Sequence, residues 1–476
     1  MNFSEAQHPA DAMTPHQKTL ALLTLIVALV LEIVDLTIVN TALPAIKADV
    51  GADAEASQWI IAGYSLSFAL LLMAGGRLGD SFGYRRMFLI GVAGFTLASA
   101  ACGLAADANQ LVAARLLQGA TGAIMAPQFM ALLQVLFEPL ERISKLAMFG
   151  LIGGLAAIIG PIIGGVLIEA DVFGLGWRII FLINLPIGLL AIVSGWLFLP
   201  ETRSARPAGY DLTGMALFGA AVVAALWPLM RATEADWGWL EAASLAAVVP
   251  LCLVGWRHVR SRVAMVRAAL FDPELFAIRT FSLGLVISVG FAAANAGFLL
   301  VFAFALQSER GQSPLVTGLL HMPFGFGVMF GIGFLGRHFL PRFGRWILVT
   351  GALVMAAASA AVLAGIGVLA LSWLALTPLL MLAGVGMGLL SGCISPVTVA
   401  QVDRDDAGAA SALLKTSQQL GSALGVACAG SIYFAFAASG RMPPSLAASF
   451  AIAAMLLVCA VLSARLPSAI FAPEGN

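Results

Sequence analysis

The chain has 476 residues with 25 basic and 25 acidic side chains, a formal net charge of zero, and is 61% hydrophobic against only 11% charged. Soluble proteins carry about a quarter charged residues, so this composition, with mean hydropathy +0.98, excludes a soluble globular fold and indicates a polytopic membrane protein. Zero net charge says nothing of an acidic or basic partner; the distribution of charge along the chain is what counts, and no nucleic-acid partner is expected.

Residues 1–19 are polar, contain Pro9 and Pro15, and lack the charged, apolar, small-residue order of a signal peptide. They are expected to form a cytoplasmic tail, with the first span retained as an anchor. The apolar run near 20–40 is long enough to cross a bilayer and holds Glu32 and Asp35. An acid at that depth costs about 2.5–3.5 kcal/mol on insertion scales, and acids so placed usually bind a proton, an ion or a substrate. The other Asp and Glu residues fall in loops, at span ends or in the termini.

Further apolar runs of helical length follow near 58–75, 87–106, 110–134, 146–168, 178–198, 212–230, 241–257, 280–304, 315–335, 346–368, 371–396, 408–435 and 446–466, making fourteen spans. An even number places both termini on one side. That side takes eighteen Lys and Arg residues, and the other takes five: Lys47, Arg178, Arg231, Arg310 and Arg441. The positive-inside rule makes the richer side the cytoplasm. The remaining two bases, Arg115 and Lys415, lie within spans. The five cysteines stand singly in apolar spans, without zinc spacing, and read as small packing residues.

A weak internal repeat divides the chain. The loop Gly-Arg-Leu-Gly-Asp-Ser-Phe-Gly-Tyr-Arg-Arg (76–86) after span 2 parallels Gly-Arg-His-Phe-Leu-Pro-Arg-Phe-Gly-Arg (336–345) after span 10. Two six-helix bundles, 20–200 and 280–467, with two inserted helices and linkers in 201–279 and a cytoplasmic tail at 468–476, place these loops equivalently. Transporters are commonly built from such repeats.

Gly76, Leu78, Gly79, Asp80, Gly83, Arg85 and Arg86 resemble the loop between helices 2 and 3 of the major facilitator superfamily, with Ser81 in place of the usual basic residue. Glycines there let helices approach, and Asp80 can accept from helix-end and arginine donors, latching the cytoplasmic side. An ordinary charged loop obeying the positive-inside rule is the plainer alternative. Val-Asp-Leu-Thr-Ile-Val-Asn-Thr-Ala-Leu-Pro (34–44), Trp-Arg-Ile-Ile-Phe-Leu-Ile-Asn-Leu-Pro-Ile-Gly (177–188) and the stretch 408–427 narrow the resemblance to the fourteen-span drug:proton antiporters, the EmrB/QacA-like branch. The resemblance implies an all-α major facilitator fold, two six-helix bundles plus two extra helices.

Arg115, in Arg-Leu-Leu-Gln-Gly-Ala-Thr-Gly (115–122), matches the helix-4 motif of the superfamily. An arginine in a span needs a counter-charge, and helix 1 is its natural neighbour. On the functional reading it competes with the proton for a carboxylate; on the plain one it forms a structural ion pair. Gln118, one turn along, extends the polar network. Gly160-Pro161-Ile-Ile-Gly164-Gly165 resembles the antiporter motif of exporters, where a lone G-x-x-x-G would signify packing alone.

Phenylalanines crowd spans 9 and 10, and about a third, Phe298 among them, are expected to line a cavity. Asn295 and His321 are polar exceptions at membrane depth, although a lone membrane histidine is more often a packing residue. Lys415 departs from the family, which tends to have a neutral residue there; it can pair with a helix-1 acid, attract an anion, or snorkel. Glu32, Asn40, Tyr64, Gln118, Asn295, Phe298, His321, Lys415, Gln418 and Gln419 are taken as substrate-lining. Gly76, Asp80, Gly83, Arg85, Arg86, Gly160, Pro161 and Gly164 are taken as the conformational switch.

There is no GxxxxGK[ST] loop and no catalytic constellation, so neither ATP-driven transport nor an enzyme is expected, and no cofactor or metal. The remaining energy source is an ion gradient. The leading reading is proton-coupled export of an amphiphilic organic compound from a cell (inner) membrane, with Asp35 as proton carrier, Glu32 as a coupled second site, and residues 1–200 rocking against 280–476. Alternatives are a proton symporter importing a small organic solute, or a non-transport receptor or lipid-translocating scaffold. With no acid inside spans 9–14, neutral, singly charged or anionic molecules fit better than dications. The partners expected are a small amphiphilic substrate, protons and the bilayer; an accessory periplasmic protein is left open.

Overall fold

The computed structural model describes residues 13–202, 209, 211–231, 238–265, 269–403 and 406–467. Residues 1–12 of the predicted N-terminal tail, the whole predicted C-terminal tail 468–476, and Arg203, Arg206, Arg267 and Arg404 of the charge asymmetry lie outside the described residues. Among the described residues, fourteen helices are long and apolar enough to cross a membrane, the number the sequence predicts. We number them α1 (Pro15–Val50), α2 (Ala54–Phe82), α3 (Tyr84–Gly103), α4 (Ala108–Leu136), α5 (Leu140–Glu169), α6 (Gly176–Phe198), α7 (Leu212–Met230), α8 (Trp239–Ala264), α9 (Arg279–Glu309), α10 (Pro314–Leu340), α11 (Trp346–Gly367), α12 (Trp373–Val399), α13 (Gly408–Ser439) and α14 (Pro444–Ala464).

Several helices outrun their apolar cores because local chemistry carries them past the hydrophobic run. Thr14 and Gln17 form a reciprocal capping box that starts α1 five residues before the predicted span. Asp53, Asp107 and Ser313 cap α2, α4 and α10 through side-chain oxygens that accept a backbone N–H. Gly51 (φ 62°) lets the chain turn between α1 and α2 in a conformation that disfavours other residues.

The helices pair in the same pattern in both halves. In the first, α2 packs on α4, α3 on α4, α1 on α5, and α6 on both α1 and α3. In the second, α10 packs on α12, α11 on α12, α9 on α13, and α14 on both α9 and α11. The hairpin α7–α8 lies outside this pattern and touches α2 and α13. Its base is tied by Asp211, which is buried and accepts from Gly214 N (2.9 Å), Leu270 N (3.0 Å) and His258 Nε2 (2.8 Å). Burial works against the charge on Asp211, but these donors outweigh it and hold the carboxyl below the ordinary carboxylate range.

The two halves meet unevenly. At the face opposite the start of α1, Gln307 donates to the Thr41 carbonyl at 2.8 Å and Ser431 to Gln58 Oε1 at 3.2 Å. The Lys47 ammonium there sits 4.3 Å from the Phe434 ring centroid. Gly318 is so close to α5 that a Cβ on it would lie 2.4 Å from the Pro161 carbonyl oxygen, and one on Gly165 would lie 2.5 Å from that of Pro314. Towards the face where α1 starts, Gly150, Gly154, Gly333 and Gly408 look into open space. The halves are closed at one face and parted at the other.

Candidate functional site

Asp35 is fully buried in the middle of α1, and both its oxygens are engaged. Oδ2 pairs with Arg115 of α4 at 2.7 Å; Oδ1 accepts from Gln118 and from Asn184 of α6, each at 2.7 Å. Arg115 is equally buried. Its Nε donates to the Ile60 carbonyl at 3.0 Å, and the nitrogen that meets Asp35 also donates to Gln118 Oε1 at 2.7 Å. The Tyr64 ring lies 4.5 Å from the guanidinium, a cation–π contact in a water-poor setting. Asn184 also donates to Ser99, which donates to the Phe181 carbonyl. A buried carboxylate is tolerable only with such a complement of donors. Four helices, α1, α2, α4 and α6, thus converge on one ion pair.

Glu32, one turn earlier on α1, is 7% exposed and has a looser arrangement. Its Oε1 lies 3.9 Å from Lys415 Nζ on α13, in the opposite half, while Oε2 is buried and meets no donor among the described residues. The Lys415 side chain is half exposed and passes over the Phe68 ring at 5.5 Å. Of the options the sequence leaves for Lys415, the structure shows the pairing with a helix-1 acid.

A cavity of about 640 Å³ opens between the halves, walled by α1, α5, α9, α10 and α12. Asn40, Asn295 and His321 border it, with Thr37 and Ser391, which the sequence reading did not select. Pro161 of the glycine-rich α5 stretch also lines it, whereas Gly160 and Gly164 pack on Thr37 and Ile38 of α1. Phe298 lies behind the wall, stacked with Phe302 and tilted against Phe324. Tyr64 and Gln118 belong to the Asp35 network instead, and Gln418 and Gln419 are half-buried on α13 away from the cavity lining. The structure therefore divides most of the predicted substrate set among the Asp35 network, the Glu32–Lys415 pair and the cavity, and places Phe298, Gln418 and Gln419 in none of them.

Five of the predicted switch residues, Gly76, Asp80, Gly83, Arg85 and Arg86, cluster where α2 turns into α3, while Gly160, Pro161 and Gly164 lie apart on α5. The Tyr84 hydroxyl donates to Asp80 at 2.9 Å, a partner not expected from the sequence. Arg77 donates to the carbonyls of Gly209 (2.8 Å) and Ala269, tying α2 to both ends of the inserted hairpin. Arg85 pairs with Glu201 at 3.0 Å, Arg86 is exposed, and Gly83 is the turn residue, with φ 98°. A second hollow of about 590 Å³ separates Gly76 and Asp80 from Gly408 on α13.

Asn184 and Ser99 were missed although both are polar residues inside apolar runs. Asn184 sits in the Asn-Leu-Pro of the quoted 177–188 stretch, where it read as part of a helix entry. The pattern of charge inside spans found Asp35 and Arg115 but is blind to neutral ligands.

These observations define a polytopic α-helical membrane protein of two similarly paired bundles meeting at a central cavity. Residues 25–426 match the family description Major Facilitator Superfamily, and the chain belongs to that family, as the residues at 76–86 implied. Similar curated proteins include the probable actinorhodin transporter of Streptomyces coelicolor, 38% identical over 85% of this chain and 70% of that protein. The puromycin resistance protein pur8 of Streptomyces alboniger is 35% identical over 85% and 80%. The putative multidrug resistance protein MdtD of Cronobacter sakazakii is 32% identical over 93% and 92%. Among solved structures, a bacterial homologue of the human lysosomal transporter Spinster, in its inward-facing and occupied conformation, superposes with TM-score 0.70 at 17% identity, covering 97% of this chain and all of that one, a likeness of fold.

Proposed function

We propose that this transporter exports small amphiphilic organic molecules across the cell membrane in exchange for protons, with Asp35 as the proton carrier and the face that starts α1 in the cytoplasm. The observation that carries the reading is the Asp35 network. A carboxylate buried at mid-span is matched by Arg115, Gln118 and Asn184, and the helix that carries it also lends Thr37 and Asn40 to a cavity that is parted at one face and sealed at the other. Protonation of Asp35 removes the anion from Arg115 yet leaves the guanidinium its bonds to Ile60 O and Gln118 Oε1, so the neutral state is not stranded without acceptors. The proton can then leave when Arg115 again claims the carboxylate. The similarity to a transporter and to resistance proteins supports export. Of the charge-rich face, fourteen Lys and Arg remain after the four outside the described residues are set aside, against five at the sealed face, which supports the orientation. Alternating access would rock the α1–α6 bundle against α9–α14.

Everted vesicles carrying the protein, with an acid interior, should accumulate substrate, and Asp35→Asn should abolish accumulation while the protein still folds. Full accumulation in Asp35→Asn would sink the coupling role. Accumulation favoured by the opposite gradient would make the protein an importer.

A further inference from the structure

The cavity carries a feature that proton coupling does not use. Three of its lining residues, Asn295, His321 and Ser391, each hold a buried polar atom, Oδ1, Nε2 and Oγ, that meets no hydrogen-bonding partner among the described residues. They come from three helices of the second half, α9, α10 and α12. Leaving one buried polar atom unpaired costs about 1–3 kcal/mol, so three on one wall mark a place where a ligand supplies the missing partners.

Their chemistry states what the ligand must offer. His321 Nδ1 lies 2.8 Å from the Thr317 carbonyl oxygen, which can only accept, so Nδ1 carries the ring proton. In the neutral ring Nε2 is then a lone pair. The Phe302 ring meets the imidazole edge-on, fixing its plane. Asn295 presents an oxygen, and the Ser391 hydroxyl can give or accept. Two acceptors and one ambivalent hydroxyl call for donors on the ligand.

A donor can be a hydroxyl or an ammonium, and the wall decides between them. Its residues include no Asp, Glu, Lys or Arg. The carboxylates of α1 are not on it, and they are held by Arg115 and Lys415. A cation seated there would lose its hydration with no counter-charge, whereas a hydroxyl loses little and gains a partner. Apart from Thr37 and Asn40 on α1, the remaining lining side chains are apolar, Ile158, Leu299, Phe324 and Met387 among them, and the volume of about 640 Å³ fits a drug-sized molecule.

We propose that Asn295, His321 and Ser391 form the recognition edge for an uncharged, largely apolar substrate that carries hydroxyl groups. The proposal rests on the export reading and adds to it the class of molecule exported.

The test uses the full chain in lipid nanodiscs and three probes that share one apolar body: hydroxypyrene, methoxypyrene and pyrenylmethylammonium. Binding is read by fluorescence at neutral pH, with partitioning into empty nanodiscs subtracted. Hydroxypyrene should bind about tenfold tighter than methoxypyrene, the effect of one hydrogen bond to a buried acceptor, and the ammonium no tighter than the ether. Ser391→Ala and His321→Phe should each bring the hydroxyl-to-ether ratio towards one, while binding of the ether reports that the pocket is intact. Equal binding of hydroxyl and ether by the native chain, strongest binding of the ammonium, or a ratio retained in both variants would overturn the proposal. Asp35→Asn separates the two readings. If it abolishes gradient-driven accumulation and keeps the ratio, both stand. If accumulation persists and the ratio holds, the coupling role fails and the recognition edge survives. If transport depends on Asp35 and the native chain shows no ratio, the recognition edge alone falls.

Discussion

Two polar sites stand on either side of the central seam, and they treat their polar atoms in opposite ways. In the α1–α6 bundle every oxygen of Asp35 is engaged, and Arg115 has acceptors on α1, α2 and α4. Across the cavity, on α9, α10 and α12, three neutral polar atoms are left unpaired among the described residues. The magnitudes explain the division. A buried ion without partners costs several kcal/mol, so a charge needs a counter-charge or several acceptors in each state it visits. A neutral polar atom costs about 1–3 kcal/mol, little enough to be exposed between one ligand and the next. On the proposed reading the charged site keeps the energy coupling and the neutral site exchanges the cargo.

Breaking the charged side should have the largest effect. Arg115→Leu leaves Asp35 buried without its cation, and removing one member of a buried pair costs about 3–5 kcal/mol. Gradient-driven accumulation should fall by more than about a hundredfold, the lower end of that range, with a lowered unfolding temperature. Arg115→Lys should restore little, because one ammonium cannot serve Asp35, Gln118 and the Ile60 carbonyl in the geometry of a planar guanidinium. Accumulation in Arg115→Lys close to the native level would show that charge alone, not the network, is required.

The seam between the sites can be loosened from either side. Gly318→Ala drives a methyl to within 2.4 Å of the Pro161 carbonyl, and overpacking of this kind costs about 1–3 kcal/mol. The closed state of that face should lose about tenfold in population. Phe434→Leu removes the cation–π contact with Lys47 at 4.3 Å, worth about 0.5–1 kcal/mol, and should shift the same balance about two- to fivefold. Both are read as the labelling rate of Ala305→Cys, buried beside this seam, in a chain whose native cysteines have been replaced. Slower labelling in either variant would place the strain in the other conformation.

The fold was legible because fourteen apolar runs leave few alternatives, and the predicted spans erred mainly at their ends. Capping residues such as Thr14 and Asp53 extend helices beyond the hydrocarbon run, where a hydropathy pattern carries no signal. Asp35 and Arg115 were legible because charges inside spans demand each other. The cavity was not. Its walls are mostly glycines, aliphatic side chains and methionines, with Phe324, that in sequence look like packing, and only the divergence of α5 from α10 beyond their Gly318–Pro161 contact shows which of them face open space. Asn184 was hidden for a related reason: a neutral amide in a span is inexpensive enough to have a purely structural explanation, and geometry alone joins it to Asp35.

The two acids of α1 give the finest test of the division. Asp35 lies 2.7 Å from its cation, fully enclosed, while Glu32 lies 3.9 Å from a lysine whose side chain is half exposed. An ion pair of the second kind contributes about 0–1 kcal/mol, so its loss should not disturb the fold. Glu32→Gln should keep gradient-driven accumulation within about threefold of native, because the Asp35 network is untouched. Releasing Lys415 from its partner should raise the affinity for an anionic probe, pyrenebutyrate, about two- to fivefold, and Lys415→Ala should remove that gain. If Glu32→Gln instead stops accumulation as completely as Asp35→Asn, then the looser pair is a second proton carrier. The coupling machinery would then reach across the seam to α13, and the separation of charge handling from cargo handling would not hold.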